Sequence, residues 1–245
     1  MFADGVVIVI PTYNERLAIE ACIISIARHG TPSALIVVDD RSPDLTRDVV
    51  IELGRRLPWV HLAERGRKDG LGPAYLHGFK LALMKRASVI VQMDADLSHD
   101  PAELQELVRP IIEGQADLAI GSRRIRGGRT IGWSRRRNWL SVFGSIYARV
   151  LLGLPARDAT SGFRAWRPET LQPLITTPTS ANGYGFQIEM LHRAAQAGAT
   201  VCEVPITFRE RTMGMSKMTG GIAREAAWVV LRLLVSTIRR RVKGG

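Results

Sequence analysis

Residues Val89–Pro101, VIVQMDADLSHDP, decide the architecture. The apolar, β-branched run Val89–Met93 is too short for a helix and stops at Asp94, which predicts a buried strand. Beyond it, Asp and Ser residues before Pro101 are good helix starters, and Pro101–Glu113 carries helical spacing. The same phrase recurs on both sides. Upstream lie strands at Val6–Ile10 (VVIVI, ended by Pro11), Leu35–Val38 and Trp59–Ala63. They alternate with helices at Glu15–His29, Leu45–Leu57 (Ser42 or Asp44 available as cap) and Gly72–Lys85. Downstream follow a strand at Ala116–Ile120, a basic loop at Arg123–Arg137, an apolar helix at Trp139–Leu152 and a β signal at Val201–Phe208. Strand and helix alternating at this spacing predict an α/β fold, its mostly parallel sheet covered by helices on both faces.

In open sheets of this kind ligands bind beyond the carboxyl ends of the strands. Three predicted strand ends carry chemistry: Pro11-Thr12-Tyr13-Asn14-Glu15, Asp39-Asp40 and Asp94-Ala95-Asp96. Two aspartates spaced D-x-D after a strand turn oxygens toward one point and suit Mg²⁺ or Mn²⁺, whose other positions go to water and substrate phosphate. A carboxylate at the second strand end accepts from a nucleobase or ribose. Asp69–Tyr75, DGLGPAY, is glycine-rich but matches neither GxGxxG nor GxxxxGK[ST], which argues against a dinucleotide dehydrogenase and a P-loop NTPase.

Composition narrows the partner. The 245 residues are 46% hydrophobic and 23% charged, with a formal charge of +11. That charge calls for an anion, and 29 of the 34 basic residues are Arg, whose fork grips phosphate bidentately. Nucleic acid is disfavoured: no helix-turn-helix, zinc finger or RNP-like strand is visible, and acids at three strand ends repel a phosphate backbone. The arginines of GSRRIRGGRT and WSRRRN precede the apolar helix Trp139–Leu152, an order that fits an acceptor with an anionic head and a hydrocarbon tail. Cys22 and Cys202 lie far apart in apolar surroundings and read as reduced core thiols. The start, MFADGVVIVIPTYNE, lacks a basic n-region and reads as no signal peptide, so the expectation is a cytosolic chain. Ile222–Val242 is interrupted by Arg224, Glu225 and Arg232, and reads as an amphipathic helix that either packs on the domain or lies on an anionic bilayer.

PTYNE, VDDRSPD, GLGPAY, MDADLSHDP, GSRR, SGFRAW (Ser161–Trp166), GYGFQIEML (Gly183–Leu191), EVPITF (Glu203–Phe208) and RTMGMSK, in this order, resemble family 2 glycosyltransferases of the GT-A fold. The subgroup they are most similar to is the dolichol-phosphate (polyprenol-phosphate) mannose synthases. The resemblance implies a GT-A catalytic domain over 1–218 and a C-terminal amphipathic helix over 219–245. It implies a nucleotide, GDP-mannose, held by Pro11, Tyr13, Glu15 and Asp39 or Asp40, with Asp94, Ala95 and Lys217 completing the nucleotide-sugar site. Asp94 and Asp96 would bind the divalent metal and diphosphate. Arg123, Arg137 and Arg211 would grip phosphates, with Ser141 assisting at the acceptor phosphate, and these three arginines with Asp96 would carry catalysis. Ser98 stands where close relatives often carry a metal-binding Gln.

The reaction implied is a single inverting displacement in which the ionised phosphate of a polyprenyl (dolichyl) phosphate attacks the anomeric carbon. The enzyme would sit peripherally at the cytoplasmic face of the membrane, alone or with a membrane-spanning partner protein. Another sugar, such as glucose from a UDP-sugar, is the alternative donor.

Overall fold

Val6–Thr12, VVIVIPT, forms the strand β1 and is buried almost throughout. The fold is a computed structural model describing residues 4–179, 181, 183–210 and 220–243. After β1 come α1 (Arg16–His29), β2 (Ala34–Asp39), α2 (Thr46–Arg56), β3 (Val60–Glu64), α3 (Leu71–Met84) and β4 (Val89–Gln92). A 3-10 turn (Pro101–Glu103) leads into α4 (Leu104–Ile112), then β5 (Leu118–Ser122), β6 (Arg129–Ile131), α5 (Arg135–Leu152), β7 (Arg164–Trp166) and α6 (Pro168–Leu174). The chain continues through α7 (Gly183–Gln196), β8 (Val201–Pro205), β9 (Thr207–Arg209) and α8 (Gly220–Lys243).

Seven strands form one sheet in the order β3-β2-β1-β4-β7-β5-β8, parallel except for β7, which runs antiparallel to both neighbours. β6 and β9 pair as a separate parallel ribbon. Because strand side chains alternate, β1 feeds two cores. Val7 and Val9 pack with Tyr75, Phe79 and Phe186 on one face. Val6, Ile8 and Ile10 pack with Ile19, Ile23 and Leu107 on the other. α3 lies so close to the sheet that a Cβ on Gly78 would stand 2.3 Å from Val9 Cγ1, so only glycine fits there.

Several sequence expectations shift. β1 continues through Pro11 to Thr12 instead of ending at the proline. Val9 accepts from Met93 N across to β4, and Pro11, two residues on, faces the same side after β4 has ended, so its missing N–H breaks no ladder. The fifth strand begins at Leu118, two residues later than expected. α5 starts at Arg135, ahead of Trp139, because Ser134 Oγ caps it by accepting from Arg137 N at 3.3 Å. Neither Ser42 nor Asp44 is the N-cap of α2; Leu45 occupies that position in the left-handed region, with Asp44 Oδ1 accepting from Thr46 N at 3.1 Å. Val201–Phe208 splits into β8 and β9 in two different sheets. β6 and β7, three residues each, had no periodic signal long enough to find.

α8 turns Val229 and Val230 inward, and Arg232 reaches Glu189 of α7 at 3.6 Å. Its other face exposes Trp228, Leu231, Val235 and Ile238. Neighbouring α5 exposes Trp139 (73%), Leu140, Phe143, Ile146 and Val150. No helix among the described residues is long and apolar enough to cross a membrane.

Candidate active site

β1 has β2 on one side and β4 on the other, so the chain direction of sheet growth reverses between β1 and β4. A cleft opens at such a switch point beyond the strand ends. The turns leaving β1, β2 and β4 each contain a non-glycine residue in the left-handed region: Asn14 (φ 57°), Arg41 (φ 57°) and Leu97 (φ 60°). Such strain concentrates where side chains must be aimed.

At the first two strand ends the carboxylates are already engaged. Asp39 Oδ1 accepts from Thr12 Oγ1 at 2.9 Å and Ser42 Oγ at 2.6 Å, and Oδ2 accepts from Ser42 N at 2.8 Å. Asp39 is thus a buried brace between β1 and the β2 turn. Asp40 takes Arg65 Nη1 at 2.8 Å, and Arg65 Nη2 lies 3.4 Å from Asp69. Burial lifts the Asp40 carboxyl against the pull of Arg65. Tyr13 is half-buried with Lys68 Nζ 3.8 Å from its ring centre, Pro11 lies in β1, and Glu15 is buried at the start of α1. These residues form one wall of the cleft.

Asp94 and Asp96 leave β4 with Ala95 buried between them. Tyr75 Oη donates to Asp94 Oδ1 at 3.1 Å. Burial, and then the Asp94 charge itself, push the phenol far up, so it stays a proton donor. Ser98 donates through both N–H (3.0 Å) and hydroxyl to Asp96 Oδ1. Ser98 therefore orients Asp96. His99 is buried; burial lowers its basicity although Asp94 and Asp96 lie near, and its neutral Nδ1 accepts from Asp94 N at 3.4 Å. No cluster of three or more His, Cys, Asp or Glu suited to a metal occurs among the described residues. Two braced carboxylates fit an ion such as Mg²⁺ or Mn²⁺, which keeps water and phosphate in its remaining positions.

His99 also joins the acids to the bases. Its ring stacks on Phe163 and meets Phe208 edge-on at 5.4 Å. Phe208 in turn lies 5.1 Å from the Arg123 guanidinium and 5.2 Å from Trp133. Arg137 stacks over Trp133 at 4.4 Å. The sequence expectation gave Arg123 and Arg137 directly to phosphates, yet both carry carboxylate partners. Arg123, only 6% exposed, places Nε and Nη2 on the two Asp158 oxygens at 2.7 Å each, with Nη2 also 3.0 Å from Thr160 Oγ1. Burial alone would raise the Asp158 carboxyl, but the Arg123 charge and hydrogen bonds hold it below its usual range. Arg137 Nη1 meets Glu210 Oε1 at 2.6 Å. Ser141 accepts from Arg124 Nη2 at 3.0 Å. Arg211 and Lys217 lie outside the described residues.

Sequence reasoning gave no role to the buried polar residues behind Asp94. Arg164 of β7 is fully buried and donates to the carbonyls of Ser161 (2.8 Å), Gln187 (2.9 Å) and Ala159 (2.9 Å). Burial pulls its guanidinium down to about 9. Gln92 Nε2 donates to Gln187 Oε1 at 2.7 Å, and Gln187 Nε2 and Asp94 Oδ2 both lie close to Gly162. An arginine inside an otherwise apolar strand, as in SGFRAW, was the available signal.

Known proteins place this architecture. A glucosyl-3-phosphoglycerate synthase from Mycobacterium tuberculosis, solved with Mn²⁺, UDP and glucosyl-3-phosphoglycerate, superposes with a TM-score of 0.70 at 23% identity. The match covers 94% of this chain and 80% of that one, and the shared fold is GT-A. An undecaprenyl-phosphate mannosyltransferase from Micrococcus luteus is 44% identical over 227 residues, 93% of either chain. A polyprenol monophosphomannose synthase from Mycolicibacterium smegmatis is 45% identical over 225 residues, 91% of this chain and 84% of that one. Residues 7–174 match the family description Glycosyl transferase family 2. With a matching core of that extent and relatives of that similarity, the chain belongs to glycosyl transferase family 2.

Proposed function

We propose that this protein transfers mannose from GDP-mannose to the phosphate of a polyprenyl phosphate, with inversion at the anomeric carbon and a divalent cation, Mg²⁺ or Mn²⁺. The observation that carries the reading is one cleft with two ends. Braced carboxylates Asp94 and Asp96 stand at one end, and an arginine cluster at the start of α5, the helix whose outer face exposes apolar side chains, stands at the other. A substrate with a phosphate head and a hydrocarbon tail matches the second end. Names of the mannosyl-lipid relatives from Micrococcus luteus and Mycolicibacterium smegmatis support that acceptor class. The bound Mn²⁺ in the structural neighbour supports the cation.

When bound, the cation would neutralise charge on the departing diphosphate. Asp94 and Asp96 would hold it, with Tyr75 and Ser98 fixing their oxygens. Tyr13 and the β2 turn wall the nucleotide pocket. Arg137, Arg211 and Lys217 are assigned to phosphate, Arg211 and Lys217 by family resemblance alone. Arg123 acts from behind: neutralised by Asp158, it supports Phe208 and Trp133, and Arg137 rests on Trp133. An ionised phosphate oxygen is itself the nucleophile, so the cleft needs no general base.

The apolar faces of α5 and α8 would rest on the bilayer, with exposed Arg135, Arg136 and Arg149 at the headgroups. This gives the enzyme a peripheral place at the cytoplasmic face. The test supplies GDP-mannose and UDP-glucose in parallel with a polyprenyl phosphate, with and without chelator. Chelator-sensitive mannosyl-lipid from GDP-mannose is the expected product. Preference for UDP-glucose, or full activity in excess chelator, would overturn the donor or the cation respectively.

A further inference from the structure

We infer that Gln187 binds a hydroxyl of the sugar that is transferred, an inference that rests on the sugar-nucleotide reading above. A chain of donors fixes the orientation of its amide. Trp166 Nε1 can only donate, and it faces Gln92 Oε1 at 3.4 Å. The other end of that amide, Nε2, therefore donates, and it meets Gln187 Oε1 at 2.7 Å. With its oxygen committed to Gln92, Gln187 presents Nε2, a donor, on its other side. The main chain is held as well, since Arg164 Nη1 donates to the Gln187 carbonyl at 2.9 Å. Trp166, Gln92, Arg164 and Gln187 are all buried. The amide is thus aimed before any ligand arrives.

Gly162 shows what that donor faces. The place a Cβ would take on Gly162 lies 3.5 Å from Gln187 Nε2 and 3.4 Å from Asp94 Oδ2. Gly162 is partly exposed, and so is the Asp94 side chain, so the spot opens to the cleft. A donor and an acceptor therefore face one place that glycine leaves unfilled. Their complement is a group that both accepts and donates, which is a hydroxyl. An ionised phosphate oxygen has no hydrogen to give and is repelled by Asp94. Sheet order decides whose hydroxyl it is. The nucleotide wall lies at β1 and β2, and Asp94 and Asp96, assigned to cation and diphosphate, leave β4. β7 comes next, and because it runs antiparallel its entry lies at the same edge, with Arg164 opposite Gln92. Gly162 stands two residues before that entry. A nucleotide sugar laid across the strand ends from β2 through β1 and β4 therefore ends with its sugar at Gly162 and Gln187.

The test measures Kd for GDP-mannose and for GDP on the full chain with Mn²⁺, by titration calorimetry. For Gln187→Met we expect the GDP-mannose Kd to rise about three- to thirtyfold while that of GDP stays within about twofold. Gly162→Ala fills the spot with a methyl at ordinary contact distances and leaves the hydrogen bonds of Gln187 in place, so it should give the same split. Among GDP-mannose analogues that each lack one sugar hydroxyl, one should bind wild type and Gln187→Met alike, which identifies the hydroxyl. Equal losses for GDP and GDP-mannose would overturn the inference, because the residue would then serve the ribose, the diphosphate or packing alone. An unmoved GDP-mannose Kd in the folded variants would overturn it too. If Gln187→Met fails to fold, Gly162→Ala carries the test, and an unchanged Kd there is equally fatal. Wild-type protein that prefers UDP-glucose would sink the proposed donor, and the same comparison, made with UDP-glucose against UDP, would still decide Gln187.

Discussion

The two ends of the cleft are stabilised by opposite means. At the acidic end, Asp39, Asp94 and Asp96 are held by hydroxyls and backbone N–H groups that are neutral themselves. At the basic end, Arg123 and Arg137 are held by the carboxylates of Asp158 and Glu210. The first arrangement fixes the carboxylate oxygens of Asp94 and Asp96 through Tyr75 and Ser98, while Asp40 beside them pairs with Arg65. The second cancels most of its charge internally and concentrates what remains on few groups. The proposed reaction, with a metal–diphosphate at one end and a second anion at the other, would gain from this.

The largest effect that would break this contrast is on stability. Asp158→Ala would leave the Arg123 guanidinium buried and unpaired, a loss of about 3–5 kcal/mol measurable by urea denaturation. pH sharpens the point. The folded Asp158 carboxyl titrates below its usual range, so its stabilisation is present above the unfolded value near 3.9 and is lost as pH falls through the lower folded value. The gap between wild type and Asp158→Asn should therefore narrow below about pH 4.

Next in size is Asp96→Ala, expected to lower sugar transfer by roughly 2.7–4 kcal/mol of transition-state stabilisation, about a hundred- to a thousandfold in kcat, while the fold survives. Preserved turnover would end the acidic-end assignment. Phe143→Ser on the exposed face of α5 should weaken sedimentation with anionic vesicles by about 1.5–3 kcal/mol, with turnover on a detergent-soluble acceptor nearly unchanged. Tyr75→Phe, the mildest, removes one hydrogen bond to Asp94. It should cost about 1 kcal/mol, read as a several-fold rise in the Mn²⁺ concentration needed for half-maximal activity.

The same contrast explains what the sequence made legible. The acidic end was readable because each carboxylate follows its own strand directly, as Asp94 follows Val89–Gln92 and Asp39 closes Ala34–Asp39. Some of its braces are local too: Ser98 lies two residues from Asp96 and Ser42 three from Asp39, whereas Tyr75 and Thr12 come from other elements. At the basic end the arginines were visible but their partners were not. Asp158 is 35 residues from Arg123 and Glu210 is 73 from Arg137, and no periodicity joins such positions. Arginines that look alike in GSRR thus divide into one paired with a buried carboxylate and one whose hydrogen-bond partners among the described residues are neutral, and only tertiary packing distinguishes them. The mostly parallel sheet was legible from its strand–helix rhythm. β7 was not, since three residues, one of them a buried arginine, carry no pattern.

That short strand has a consequence for how the chain is made. β4 and β5 do not pair; β7 pairs with each and lies between them. A ribosome that has released residues 1–122 has therefore delivered both flanking strands with an open slot between them. The sheet closes only when Arg164–Trp166 arrives, carrying the guanidinium that ties Ala159, Ser161 and Gln187 together. Until then two strand edges stand unpaired, an arrangement prone to wrong partners. Pairing through such a distant segment carries a loop-closure cost that local pairing avoids, and a chaperone that shields those edges is expected to raise the yield of folded chain.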